Sequence, residues 1–112
     1  MAAATIAPCI TAETADQYKA TMEQIHTFTT RVHIDISDGE FAPTFLVGPD
    51  QLWWQQGWQA DIHAMVARPS EYVQQLIAVK ADLIIFHAEV QEDLLPIIKL
   101  IQQSGIRAGV AL

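Results

Sequence analysis

The run Val32-His33-Ile34-Asp35-Ile36-Ser37-Asp38-Gly39 sets an imidazole and a carboxylate two positions apart within an apolar, β-branched stretch. Side chains of an extended chain alternate faces, so Val32, Ile34 and Ile36 turn one way and His33, Asp35 and Ser37 the other. His33 and Asp35 then stand about 6 to 7 Å apart along the strand, close enough for an imidazole and a carboxylate to converge on one divalent ion. A second run, Asp61-Ile62-His63-Ala64-Met65-Val66, repeats the parity with Asp61, His63 and Met65 on the polar side. If the two strands are neighbours, His63 joins His33 and Asp35. A third, Phe86-His87-Ala88-Glu89, adds His87 and Glu89 at the same interval.

Two uses of these groups are open. An isolated His-x-Asp is commonly a hydrogen-bonded pair in a core or rim, whereas consecutive inward-facing His and Asp positions are costly to bury without an ion or a substrate. For His87 and Glu89 the simpler reading is a structural hydrogen-bonded pair. His26 reads as a helix-terminal or surface group, Asp38 as a cap on the Asp38-Gly39 turn, Cys9 as a small buried residue, and Trp53, Trp54 and Trp58 as core or subunit contacts.

The elements that must position these groups are legible as alternating patterns. Five segments rich in apolar and β-branched residues read as strands: Thr5–Ile10, Arg31–Ile36, Ala60–Val66, Asp82–Glu89 and Ile106–Leu112. Between them lie Thr14–Phe28, Pro49–Trp58, Ser70–Val79 and Glu92–Gln103, in which apolar residues recur at three and four positions, predicting helices. Pro49–Trp58 has the poorest pattern, because it contains Gly57 and three tryptophans. Ser70 is the expected N-cap of the third helix. Pro96 places the start of the fourth near Asp93, and Gly105 marks its end. Strict alternation predicts parallel pairing with right-handed crossovers, and strand starts about 22 to 28 residues apart match the pitch of a (β/α)8 barrel. The expectation is an α/β fold, a partial barrel of about five parallel strands and four helices in a single domain over residues 1–112. A doubly wound sheet is the alternative, weakened by the absence of a glycine fingerprint in Pro8-Cys9-Ile10-Thr11.

Composition narrows the partners. Of 112 residues, 51% are hydrophobic and 17% charged, so the chain can build a core. A net charge of −7 with six scattered Lys and Arg would repel a polyanion, so nucleic acid is not an expected partner. No apolar run approaches the roughly 18 to 20 residues of a membrane helix. The start has no Lys or Arg before Lys19 and is a poor signal peptide. One cysteine, Cys9, allows no intrachain disulfide, which fits a reducing cytoplasm.

Taken in order, Ile6-Ala7-Pro8-Cys9-Ile10, Val32-His33-Ile34-Asp35-Ile36-Ser37-Asp38-Gly39-Glu40-Phe41-Ala42-Pro43, Asp61-Ile62-His63-Ala64-Met65-Val66, Phe86-His87-Ala88-Glu89 and Gly109-Val110-Ala111-Leu112 span nearly the whole chain. With these blocks the sequence resembles ribulose-phosphate 3-epimerases. The resemblance implies a (β/α)8 barrel that interconverts D-ribulose 5-phosphate and D-xylulose 5-phosphate by moving a proton at C3. It implies that His33, Asp35 and His63 bind a divalent metal, that Asp35 also transfers the proton, and that Cys9, His63 and Met65 contact the substrate. Imidazole and carboxylate donors suit zinc, iron, manganese or cobalt. The small-molecule partner is a sugar phosphate, and a homo-oligomer is expected.

In the family a second acid, an aspartate that is also a metal ligand, comes from a late strand, and the phosphate is held by later glycine-rich loops. Neither is found in these 112 residues, so the chain reads as the N-terminal half of the barrel, inactive by itself. Cys9 stands where relatives usually have serine, Ser37 where methionine is usual, and Lys80 where a glycine often ends a helix. An allulose 6-phosphate 3-epimerase would use the same ligands. Hexulose-phosphate synthases and keto-gulonate decarboxylases carry Asp-x-Lys where this chain has Asp61-Ile62-His63, and are set aside. A reading of another class is a non-catalytic half-barrel that self-associates through exposed sheet edges.

Overall fold

Each apolar and β-branched run of the sequence becomes a strand with one dry face. In the computed structural model, which describes residues 4–112, the strands are β1 (Cys9–Ile10), β2 (Arg31–Ser37), β3 (Gln59–Met65), β4 (Leu83–His87) and β5 (Arg107–Ala111). All pair in parallel, and the sheet order is the chain order, β1-β2-β3-β4-β5. A doubly wound sheet reverses direction at a switch point. No reversal occurs here, so that alternative is excluded, and the sheet has the neighbour order of a (β/α)8 barrel segment.

Val32, Ile34 and Ile36 on β2, Ala60, Ile62 and Ala64 on β3, and Ile84 and Phe86 on β4 are all buried. They form one side of the core, against Tyr18, Met22 and Ile25 of helix α1 (Ala15–Ile25), Val73 and Leu76 of α2 (Val73–Ala78), and Ile97 and Ile101 of α3 (Leu95–Gln103). Burying side chains of this size contributes about 1.5 to 3 kcal/mol each for the larger ones. That dry packing fixes strand parity, and parity decides that His33, Asp35, His63 and His87 take the opposite face.

Three expectations are corrected. The second predicted helix, Pro49–Trp58, is a single 3-10 turn at Pro49–Gln51 followed by irregular chain. Gly57 sits at φ +90°, incompatible with a continuing helix. The Trp53 carbonyl instead accepts a hydrogen bond from the buried Tyr18 hydroxyl, whose titration burial pushes up to about 12. Ser70 does not cap the third helix: Pro69–Glu71 is a 3-10 turn, α2 starts at Val73, and the Ser70 hydroxyl donates to Glu92. The first strand is confined to Cys9–Ile10, where the predicted segment was Thr5–Ile10; Pro8 has no N–H to donate, although its carbonyl accepts from His33 N–H at 2.9 Å. The fourth predicted helix does begin beside Asp93, which accepts from Leu95 N–H at 3.0 Å, with Pro96 in the first turn. Lys80 lies at φ +62°, in the left-handed region a glycine would occupy without strain. Among the described residues no helix is long and apolar enough to cross a membrane.

Candidate metal and substrate site

Full β2–β3 pairing sets Asp35 directly opposite His63 and His33 opposite Asp61, while the short β1 sets Cys9 opposite His33. Asp35 is the hub. Its Oδ1 lies 3.1 Å from His63 Nδ1 and 3.5 Å from His33 Nε2, and its Oδ2 lies 3.4 Å from Cys9 Sγ. Only 13% of the Asp35 side chain is exposed, so these contacts are shielded from water on most sides. Although Cys9 is exposed as a residue, partial desolvation of its sulfur raises the thiol to about 11, helped by the negative charge of Asp35 and the hydrogen bond to it. The sulfur therefore keeps its proton and donates it to the carboxylate.

The strands bring the residues of the sequence pattern together unequally. Among the described residues, the three whose potential ligand atoms all lie within 4.8 Å of one another are Cys9, His33 and Asp35. His63 touches Asp35 on one side, and with its other nitrogen, Nε2, meets His87 Nε2 at 2.6 Å. His87 is thus held less by Glu89, whose Oε2 is 3.5 Å from Nδ1 and whose side chain is largely exposed, than by His63. The Phe41 ring packs on His87 with centroids 4.9 Å apart. Met65, at the C-terminal end of β3, stands on the same face two residues beyond His63. Asp61 is engaged elsewhere, in a two-pronged ion pair with Arg31 at 2.8 to 3.1 Å.

Two contacts were not legible in the pattern. Cys9 reads as a small buried residue by type alone; the structure exposes it and points its sulfur at Asp35. The His63–His87 contact needs the β3–β4 register, which side-chain spacing within a strand does not give. The i, i+2 position of both histidines on successive strands was the available signal.

Asp38, the expected turn cap, does more than cap. One carboxylate oxygen accepts from Glu40 and Phe41 N–H, and the other from Ala67 N–H just past β3, each at 2.9 Å. Burial would raise its pKa, but those backbone N–H groups outweigh it and hold the carboxyl below its ordinary range. Asp38 thereby ties the loop after β2 to the chain leaving β3, at the end of the sheet where barrel enzymes hold reactive groups. His26 stands at the end of α1 with its ring against the Glu23 carbonyl, on a different element from the cluster.

The polar face contains atoms the protein leaves unpaired. Ser37 Oγ and His87 Nδ1 are buried without a hydrogen-bond partner. Such groups cost about 1 to 3 kcal/mol each if nothing satisfies them. Nitrogen, oxygen and sulfur donors converging beside unpaired polar atoms fit a divalent cation and a hydroxylated ligand.

The sequence profile of the Ribulose-phosphate 3 epimerase family matches residues 5–112. A ribulose-phosphate 3-epimerase of Chlamydia trachomatis is 37% identical over 83 residues, covering 71% of this chain and 36% of that protein. One of Bacillus subtilis is 33% identical over 84 residues, covering 72% and 39%. A cytoplasmic isoform from Oryza sativa subsp. japonica is 36% identical over 85 residues, covering 72% and 37%. The matches therefore span well under half the length of these relatives. Since the profile covers nearly every described residue, and since sheet order and strand parity are those the family's barrel requires, the chain belongs to the ribulose-phosphate 3-epimerase family.

Proposed function

We propose that this chain supplies the metal-binding and proton-abstracting half of an epimerase acting at C3 of D-ribulose 5-phosphate to give D-xylulose 5-phosphate. The observation that carries the reading is Asp35, a shielded carboxylate with two imidazole nitrogens directed at one of its oxygens. His33, Asp35 and His63 would hold a divalent metal, zinc, iron, manganese or cobalt, which when bound supplies positive charge for the oxygens of an enediolate. A proton beside a ketone is too weakly acidic for a carboxylate without such stabilisation.

Asp35 is the base that takes the C3 proton. Its Oδ2, turned from the imidazoles toward Cys9, is the oxygen left for that work. Cys9, His63 and Met65 line the substrate's position, Cys9 as a weak donor in place of a hydroxyl. For His63 to offer the Nδ1 lone pair, its Nε2 must carry the proton and donate it to His87 Nε2, so His87 is a positioning residue that sets the His63 tautomer. Inversion needs a second acid on the opposite face of the carbon. The reading gives none of these residues that role and assigns to the chain proton removal only.

Proton removal can be read without inversion. In D2O the metal-loaded protein should exchange deuterium into C3 of D-ribulose 5-phosphate, followed by NMR, and Asp35→Asn should reduce the rate at least about 100-fold, the lower end of general-base contributions. Metal-loaded protein that exchanges no faster than buffer would defeat the proposal. Residence in the cytoplasm is supported by the single cysteine and the cytoplasmic isoform among the relatives. Self-association is a second reading, favoured by one observation: β1 and β5 each have a single strand neighbour among the described residues, and Val110 on β5 is 46% exposed.

A further inference from the structure

We propose that Cys9 is itself a metal ligand, so that the centre takes a sulfur donor from β1 beside His33 and Asp35. The inference rests on the metal reading above and adds a donor which that reading assigned to the substrate. Its ground is geometric. Cys9 pairs in register with His33, and the backbone bond from His33 N–H to the Pro8 carbonyl, 2.9 Å long, holds β1 against β2 beside it. The sulfur, a His33 ring nitrogen and an Asp35 oxygen already lie within 4.8 Å of one another. Donors around a tetrahedral zinc, at about 2.0 to 2.3 Å from the ion, stand roughly 3.5 Å apart. Side-chain rotation of about 1 Å closes the difference, with no change in strand pairing.

A serine hydroxyl in the same place is a poor ligand because it holds its proton; a thiol gives its proton up to a cation readily. On ligation the Sγ–H bond breaks, the proton leaves to solvent, and the electron pair forms the sulfur–metal bond. No oxidant or reductant is involved. The face has a second sign of a missing partner: Ser37, 4% exposed and two residues along β2 from Asp35, has a hydroxyl with no hydrogen bond. A thiolate is softer than a hydroxyl or carboxylate, so the site should favour zinc or cobalt over manganese.

Cobalt(II) titration of the wild-type chain and Cys9→Ser tests this by spectrum. The expected result is visible d–d bands together with a near-ultraviolet sulfur-to-cobalt charge-transfer band in the wild type. Cys9→Ser should keep the d–d bands and lose the near-ultraviolet band, with zinc affinity falling more than about tenfold and manganese affinity little changed. Wild-type d–d bands without the charge-transfer band would overturn the sulfur ligand and leave the histidine–aspartate site standing. No cobalt bands of either kind would defeat the metal reading and this inference together. The wild-type spectrum alone decides the matter if Cys9→Ser does not fold.

Discussion

Asp35 faces two imidazoles and a thiol at once, with both imidazoles on Oδ1 and the thiol on Oδ2. Removing His33 or His63 should therefore lower metal affinity sharply. Isothermal titration with zinc should show His33→Ala and His63→Ala each losing more than about 100-fold, beyond what loss of a supporting hydrogen bond causes, His87→Ala losing about 10- to 100-fold through the His63 tautomer, and His26→Ala unchanged. Equal losses from His26→Ala and His33→Ala would remove the site from this face. Asp38 belongs to the same scale but to stability. Its folded pKa is depressed, so its contribution is fully present above the ordinary value of 3.8 and is lost as pH falls through the folded value. Asp38→Ala should destabilise by about 1.5 to 3 kcal/mol at neutral pH in urea unfolding, and the gap from wild type should narrow in acid. A constant gap down to strong acid would mean the carboxylate charge is not what ties the loops. His33, Asp35 and His63 could be picked from the linear pattern because a strand repeats every two residues, whereas the reach of Asp38 to Ala67, 29 residues on, could not.

At the scale of the element, the strands followed from pattern and one helix did not. Strands bury a continuous apolar side, and Ile34, Ile62 and Ile84 announce it by type. The segment after Pro49 has apolar residues at helical intervals, yet Trp53 is held by Tyr18 and the chain turns at Gly57, so tertiary contacts override a marginal period. The end of α2 shows a local conflict of the opposite kind. Lys80 adopts φ +62° after the last turn, its N–H bonded to the Ile77 carbonyl, a conformation costing about 1 kcal/mol for a residue with a Cβ. Lys80→Gly should raise stability by about 0.5 to 1 kcal/mol after the extra unfolded-state entropy of glycine, seen as a Tm higher by a few degrees. A lower Tm would show that the lysine side chain contributes more than its backbone strain.

For the whole molecule, the proposed self-association turns on β1 and β5, each with one strand neighbour among the described residues. β5 carries Val110 outward beside unpaired backbone groups, an arrangement that invites pairing with a second copy. A net charge of −7 opposes association at low ionic strength, so added salt should promote it. Sedimentation over rising concentration should show a homo-oligomer, and Val110→Lys should weaken it about tenfold, the equivalent of roughly 1.4 kcal/mol of lost apolar burial. Monomers of both proteins at high salt would dismiss the edge as an interface.

The amino-acid sequence by itself determined the strand count, the parallel alternation and the side of each strand on which His33, Asp35, His63 and His87 stand, because these depend on periods of two and on apolar runs that any solvent-exposed chain must bury. Only the tertiary structure decided which of those groups meet. Register between strands, a matter of packing over residues far apart, joins Cys9 to Asp35 and His63 to His87, and no spacing along the chain encodes a distance across a sheet.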